Sequence, residues 1–300
     1  MTLPDAIAHL VPDGASVAMG TCLESMIPFA AGHELVRQRR RDLTLVGPIS
    51  DLLFDLLIGA GCVARIQAAW VGNVSAGLGH AYRRAAERGE PRAVAIEDYT
   101  NYTIALALMA GAHGLPFIPS RSGRGSDIVR SHPGFAEGVS PFDGQKVLLV
   151  KAVHPDVAII AVQRADSEGN AHLWGNLGIT SEAGMAADSI IVLAEEIVGS
   201  DVTLSDPNRV LFPPFLVSAV VQCPGGCHPS PVQGYYRRDH EFYAEYHYQT
   251  RTPDGMTAWL EQWVLRFADR AAYLEALGQE RWGALRRLTP APAAGVDYAW

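Results

Sequence analysis

The chain has 300 residues, 48% of them hydrophobic and 19% charged, with a formal net charge of −8. That composition fills a sizeable core and excludes a disordered or fibrous chain. No basic stripe is present, so the electrostatic footprint of a nucleic-acid binder is absent. Arginine supplies nearly all the positive charge, the only lysines being Lys146 and Lys151, which leaves few candidates for Schiff-base or Walker-type lysine chemistry. Apolar runs are broken by Gly, Pro or charge before they reach a membrane span, and Met1-Thr-Leu-Pro-Asp5 carries no basic or apolar signal. Four cysteines (Cys22, Cys62, Cys223, Cys227) are too few for a disulfide scaffold, and a reduced, cytoplasmic protein is expected.

In chain order, Ser16-Val-Ala-Met19 reads as a short strand. Pro28 to Arg39 reads as a helix with Pro28 suited to its first turn, and Leu43-Thr-Leu-Val46 as a second strand. Ala68-Ala-Trp-Val71 is a further short apolar run. Gly79 to Gly89 has helical spacing, with Arg83, Arg84, Glu87 and Arg88 on a polar face. Asn101 to Gly114 is an Ala/Leu/Met-rich helix that stops at a glycine. Leu115-Pro-Phe-Ile118 reads as a strand. Ser131 to Gln145, with Pro133, Gly134, Gly138, Pro141 and Gly144, reads as a long loop excursion within a single domain spanning 1–300.

Three later runs, Val147 to Val150, Val157 to Val162 and Ser189 to Leu193, are apolar on both faces, as buried parallel strands are. Thr257 to Leu288 reads as helical, with Trp259, Trp263, Phe267, Leu274 and Leu277 on one face expected to cover the core. A loose tail is expected over residues 289–300. Alternating strand and helix signals predict an α/β fold: an open, mostly parallel sheet with flanking helices and C-terminal helices covering it.

The stretch from Asp13-Gly14 through Gly20-Thr21-Cys22, Glu24 and Pro28 reads as turn, strand, glycine turn and helix start. Backbone N–H groups at such a turn hold an oxyanion or a carboxylate, although an ordinary strand-to-helix connection has the same outline. It is not a GxGxxG fingerprint, so a nicotinamide cofactor is unsupported. Asn73 and Ser75 follow a short apolar run and suit either a ligand mouth or a plain turn. Arg121 and Ser122 lie in a Pro/Gly/Ser loop after an expected strand, where ligands of parallel sheets bind. A guanidinium there clamps a carboxylate, or pairs with Asp127 to hold the loop. Cys223-Pro-Gly-Gly-Cys227-His228 lacks a second cysteine pair, so no metal is expected. Cys22 has nothing in the sequence that would lower its pKa.

Several ordered motifs resemble the α subunits of class I coenzyme A transferases, nearest the glutaconate type. The Asp13-Gly14 to Pro28 spacing resembles their glycine signature, with Gly20-Thr21-Cys22 in place of Gly-Gly-Phe and Met26 in place of a further glycine. Glu97-Asp98-Tyr-Thr-Asn101-Tyr102, the run from Leu108 to Asp127, His154 to Asn170, Pro224 to Ser230 and Gly234 to Asp239 continue the resemblance over roughly residues 10 to 290. It implies an open α/β fold, no permanently bound cofactor and coenzyme A as a substrate. It also implies a β-subunit partner that carries the nucleophilic glutamate. Gly20 and Thr21 would then line the oxyanion, while Glu24, Asn73, Ser75, Glu97, Asn101, Arg121 and Ser122 would line the acyl pocket. Ser181-Glu182-Ala-Gly184 echoes a catalytic Ser-Glu-x-Gly, but it also reads as an N-cap and first helical turn. The resemblance leaves two alternatives. One is a hydrolase of the same fold acting on a cyclic, steroid-derived acyl-CoA, in which an acid stands near the position of Asn101. The other is a non-catalytic acyl-CoA-binding subunit.

Overall fold

The computed structural model describes residues 1–287; the tail expected at 289–300 lies outside them. Seven parallel strands form the central sheet: β1 Ser16–Ala18, β2 Leu43–Ile49, β3 Val63–Trp70, β4 Ala95–Asp98, β5 Val157–Ala165, β6 Ser189–Ile197 and β7 Val217–Gln222. Their order is β7-β6-β5-β1-β2-β3-β4, and Ala171–His172 adds a short antiparallel pairing to β5. The chain thus winds from β1 outward to β4, then returns to the other side of β1 and winds outward to β7. The β1/β5 junction is a topological switch point, where the two following loops diverge and leave a crevice.

The doubly apolar runs follow from two cores, one on each face of the sheet. In β5 and β6, Ile159, Ala161, Ile191 and Leu193 enter one core, while Ala158, Ile160, Val162, Ile190 and Val192 enter the other. Helices Leu3–Leu10, Phe29–Arg37 and Asp51–Gly59, together with the C-terminal helices, cover the first face. Helices Asn101–Ala112 and Thr180–Ala186 cover the second. Pro28 proves to be the residue just before its helix. Gly79 and Gly89 bracket His80–Arg88, with Gly89 in the left-handed region at φ 68°. Thr100 and Thr103 form a reciprocal capping box at the start of Asn101–Ala112.

Two expectations are corrected between residues 115 and 151. Val147–Val150 is not a parallel strand of the main sheet. It lies in Lys146–Lys151, which pairs antiparallel with Phe117–Ser120 and with Phe135–Val139. Only Leu148 and Val150 are buried, so one face packs on the second core and the other does not. The expected loop 131–145 therefore contains a strand, Phe135–Val139. Its mixed Phe-Ala-Glu-Gly-Val sequence lacks an apolar run to announce it.

The C-terminal segment covers the core as expected. Pro253–Leu260 continues as one π turn, Glu261–Leu265, before Arg270–Leu277 and Gln279–Leu285. Trp259 and Trp263 both sit edge-on to Phe242, with centroids 5.0 Å away. No helix among the described residues is long and apolar enough to cross a membrane.

Candidate active site at the glycine loop

The loop leaving β1 is built around Gly20, at φ 68°. A Cβ on Gly20 would lie 2.2 Å from Ser50 Oγ, whose hydroxyl donates to the Met19 carbonyl at 2.9 Å. Both backbone conformation and space therefore demand glycine. From there the carbonyls turn inward. Thr21 O accepts from Ile179 N at 3.0 Å, Cys22 O from Asn176 Nδ2 at 2.9 Å, and Glu24 O from Ser230 Oγ at 3.1 Å. Gly178, at φ 54°, permits this approach, since a Cβ there would lie 2.0 Å from Thr21 O. Residues 21–24 form a turn, while the backbone N–H groups of Gly20, Thr21 and Cys22 make no hydrogen bond within the described residues. Carbonyls held inward with N–H groups left without protein acceptors are the arrangement that anion-binding nests use.

The side chains of the loop do not add a nucleophile. Thr21 is buried, its hydroxyl 3.0 Å from Thr180 Oγ1. Burial pushes the Cys22 thiol up to about 11, which leaves it protonated and inert at neutral pH. The Glu24 carboxylate faces solvent. Glu182 is in the first turn of Thr180–Ala186, but the cap is Ile179, not Thr180 or Ser181. Those two hydroxyls bond instead to the carbonyls of Leu177 and Leu211.

Ser75 belongs to the same neighbourhood through a residue that the sequence reading missed. Arg238 donates to Ser75 Oγ from Nη2 at 2.9 Å and from Nε at 3.2 Å, to Asp51 at 2.6 Å, and to the Glu24 carbonyl at 3.5 Å. Asp51 is fully buried and also accepts from Val74 N at 2.8 Å. Asn73 is buried behind this group. Its amide donates to Tyr243 O at 2.7 Å and its oxygen accepts from Ser75 N, an Asx turn that shapes the loop. Ser50-Asp51 directly follows a parallel strand and so carried a positional signal. Arg238 falls within the Gly234 to Asp239 motif, but nothing local marks it as a partner of Ser75.

Of the remaining expected residues, Glu97 and Asn101 lie on and just after the edge strand β4, and Arg121 and Ser122 lie beyond the parallel sheet. Glu97 accepts from Arg65 and from Gln67 Nε2. It lines a cavity of about 330 Å³ with Ser16, Thr44, Lys151 and His154. Asp98 follows on the opposite face, so the two acids form no dyad. Asn101 is exposed at its helix start. Arg121 and Ser122 follow a strand of the antiparallel sheet, so the rule for ends of parallel strands does not reach them. Arg121 is 67% exposed and pairs with Asp143 at 2.7 Å rather than with Asp127, which pairs with Arg130.

The Pro224 to Ser230 motif is architectural. Gly226 O accepts from Ala30 N, and Arg270 donates to Gly225 O and His228 O, which ties this turn to the helix after the glycine loop. His228 hydrogen-bonds Tyr273 at 2.7 Å and Asp239 at 3.0 Å, so both ring nitrogens are committed. Burial raises both the Cys223 and Cys227 thiols. Beside them, burial pushes Glu195 up to about 7, against hydrogen bonds from Tyr236 and Gly225 N. Between the ordinary carboxyl value of 4.5 and about 7 the folded chain keeps a proton that the unfolded chain has lost. The stability contributed by this group therefore falls as pH rises through that window. Melting temperatures from pH 4 to 8 should show this fall, and Glu195→Gln should flatten it. An undiminished slope in the variant would assign the effect to another group.

Comparison with known proteins decides the family. The coenzyme A transferase family model matches residues 1–223. The chain belongs to the coenzyme A transferase family. It is 41% identical to the α subunit of the 3-oxoadipate CoA-transferase of Pseudomonas knackmussii, over 88% of this chain and 93% of that protein. The crystal structure of glutaconate coenzyme A-transferase from Acidaminococcus fermentans matches with a TM-score of 0.91 at 32% identity, covering 99% of this chain and 98% of that one. The cholesterol ring-cleaving hydrolase IpdA subunit of Rhodococcus jostii is more distant, 27% identical over 85% of this chain and 88% of that protein. Among coenzyme A transferases this chain is of the α type. Met26 holds a left-handed φ of 55°.

Proposed function

We propose that this chain is the α subunit of a heteromeric CoA transferase and supplies the oxyanion-binding loop of an active site completed by a β subunit. The carrying observation is the start of the loop, where the Thr21, Cys22 and Glu24 carbonyls are bonded inward and the N–H groups of Gly20, Thr21 and Cys22 have no acceptor among the described residues. Exposed Val74, Leu78, Tyr102 and Leu177 at the same end of the sheet support a partner seated there. Named relatives act on 3-oxoadipate and glutaconate, which supports short dicarboxylic acids as the substrate class.

In this reading a glutamate carboxylate on the β partner attacks the thioester carbonyl of an acyl-CoA. The tetrahedral oxyanion collapses, expels the CoA thiolate and leaves a mixed anhydride. The thiolate attacks the glutamyl carbonyl of that anhydride, which releases the first acid as its carboxylate and leaves a glutamyl-CoA thioester. An acceptor carboxylate then runs the sequence in reverse and departs as the new acyl-CoA. Every step passes through an oxyanion, and backbone N–H groups at Gly20 and Thr21 stabilise it without rearranging. Gly20 serves because any side chain there would collide with Ser50 and turn the loop.

The test is a complex reconstituted with a β subunit, then given a short dicarboxylic acyl-CoA. CoA should move to an added carboxylic acid with ping-pong kinetics, and little free CoA should appear when no acid is added. Steady release of free CoA without an acceptor would favour hydrolysis and contradict the transferase reading.

A further inference from the structure

Four segments distant in sequence converge on the guanidinium of Arg238: the Glu24 end of the glycine loop, Asp51 after β2, Ser75 after β3, and Tyr243. The ring of Tyr243 lies 3.7 Å from the guanidinium carbon and holds the plane of the fork. Asp51 sits at a left-handed φ of 48°, a strained backbone for a non-glycine residue, and its carboxylate is fixed by Arg238 and Val74 N. Strain held in place by charge-assisted bonds is typical of a region that must keep one geometry.

The consequence falls on Ser75. A serine hydroxyl has one donor and two acceptor lone pairs. Arg238 aims two N–H groups at the Ser75 oxygen, at 2.9 and 3.2 Å. Arginine does not give up its proton, so this polarity is permanent. The Ser75 proton is left to donate, and because Ser75 is exposed it donates outward. Charge-assisted donors on the oxygen polarise the O–H and strengthen that donation. The natural receiver is an acceptor-only group, a carboxylate, brought beside the glycine loop.

We infer that Arg238 is a positioning residue: it makes Ser75 a one-way hydrogen-bond donor to the carboxylate of the acid substrate, and it holds the Glu24 end of the glycine loop. This rests on the transferase reading, because the loop is taken to be where the acid is handled.

The test is a double-mutant cycle in the assembled αβ enzyme with Ser75→Ala and Arg238→Lys. Lysine keeps the charge facing Asp51 but cannot present the fork. Each single variant should lower kcat/KM for the acceptor acid by about tenfold or more, the range of a hydrogen bond to a charged group. The double variant should be little worse than the poorer single one, because Arg238 acts through Ser75. Fold losses that multiply would overturn the inference, as would a Ser75→Ala enzyme equal to wild type. If Arg238→Lys fails to fold, Ser75→Thr against Ser75→Ala carries the test: the threonine variant should retain most activity, and equal losses in both would overturn the role of the hydroxyl. Calorimetric titration of a short dicarboxylate into the complex without an acyl-CoA donor separates the two readings. Weakened binding in Ser75→Ala and Arg238→Lys supports the inference even if no CoA is transferred. Unchanged binding and unchanged kcat/KM in an enzyme that does transfer CoA overturn the inference alone.

Discussion

Gly20→Ala should reduce kcat of the assembled enzyme by roughly 10²–10³-fold, the effect of losing one oxyanion donor. Two independent constraints lead there. The φ of 68° disfavours any L side chain, and the new Cβ would stand 2.2 Å from Ser50 Oγ. Relief requires Ser50 or the loop to move. A moving Ser50 gives up its bond to Met19 O, and a moving loop turns N–H groups away from the ligand. The damage is local, since the fold rests on two cores that Gly20 does not enter. The measurement is steady-state kinetics beside a circular-dichroism melt. A folded variant with wild-type kcat would reduce the glycine turn to a plain strand-to-helix connection.

The second large effect is dependence on the partner. Purified alone, the chain should show no CoA transfer above background with short dicarboxylic acyl-CoA donors, and full turnover should return when a β subunit is added. The acids around the loop are accounted for individually. Asp51 is bound by Arg238 and Val74 N, Glu195 by Tyr236 and Gly225 N, and Glu24 points to solvent. Cys22 remains a thiol. Tyr102 and Leu78 are each more than half exposed at the loop end of the sheet, as befits surfaces buried in an obligate pair. Turnover by the isolated chain at the rate of the complex would place the nucleophile here.

The sheet was legible because its strands are apolar on both faces. Val157 to Val162 and Ser189 to Leu193 leave no polar side for solvent, and the two cores explain why. The antiparallel excursion was not legible. Val147 to Val150 is apolar throughout in sequence, yet only alternate residues are buried, and its partner Phe135–Val139 carries Glu137 and Gly138. Arg121 follows the antiparallel strand Phe117–Ser120, so it does not stand at the end of a parallel strand. Gly20 was legible from its own spacing, because a turn of that shape is a local property. Arg238 was not, because its role arises from a contact with Ser75 across 163 positions of sequence. Asn73 shows the opposite limit: its residue type suited a ligand mouth, but burial directs its amide to Tyr243 O.

The most direct measurement is peptide mapping by mass spectrometry of the αβ complex after exposure to an acyl-CoA donor without acceptor acid, followed by borohydride. Borohydride reduces a glutamyl thioester to an alcohol and leaves free carboxylates intact, so activity should be lost only in the donor-treated sample. The reduced residue should be a glutamate of the β subunit, with Glu24, Glu97 and Glu182 of this chain unmodified. A reduced glutamate at any of these three positions would contradict the division of labour in which this chain holds the oxyanion and its partner makes the bond.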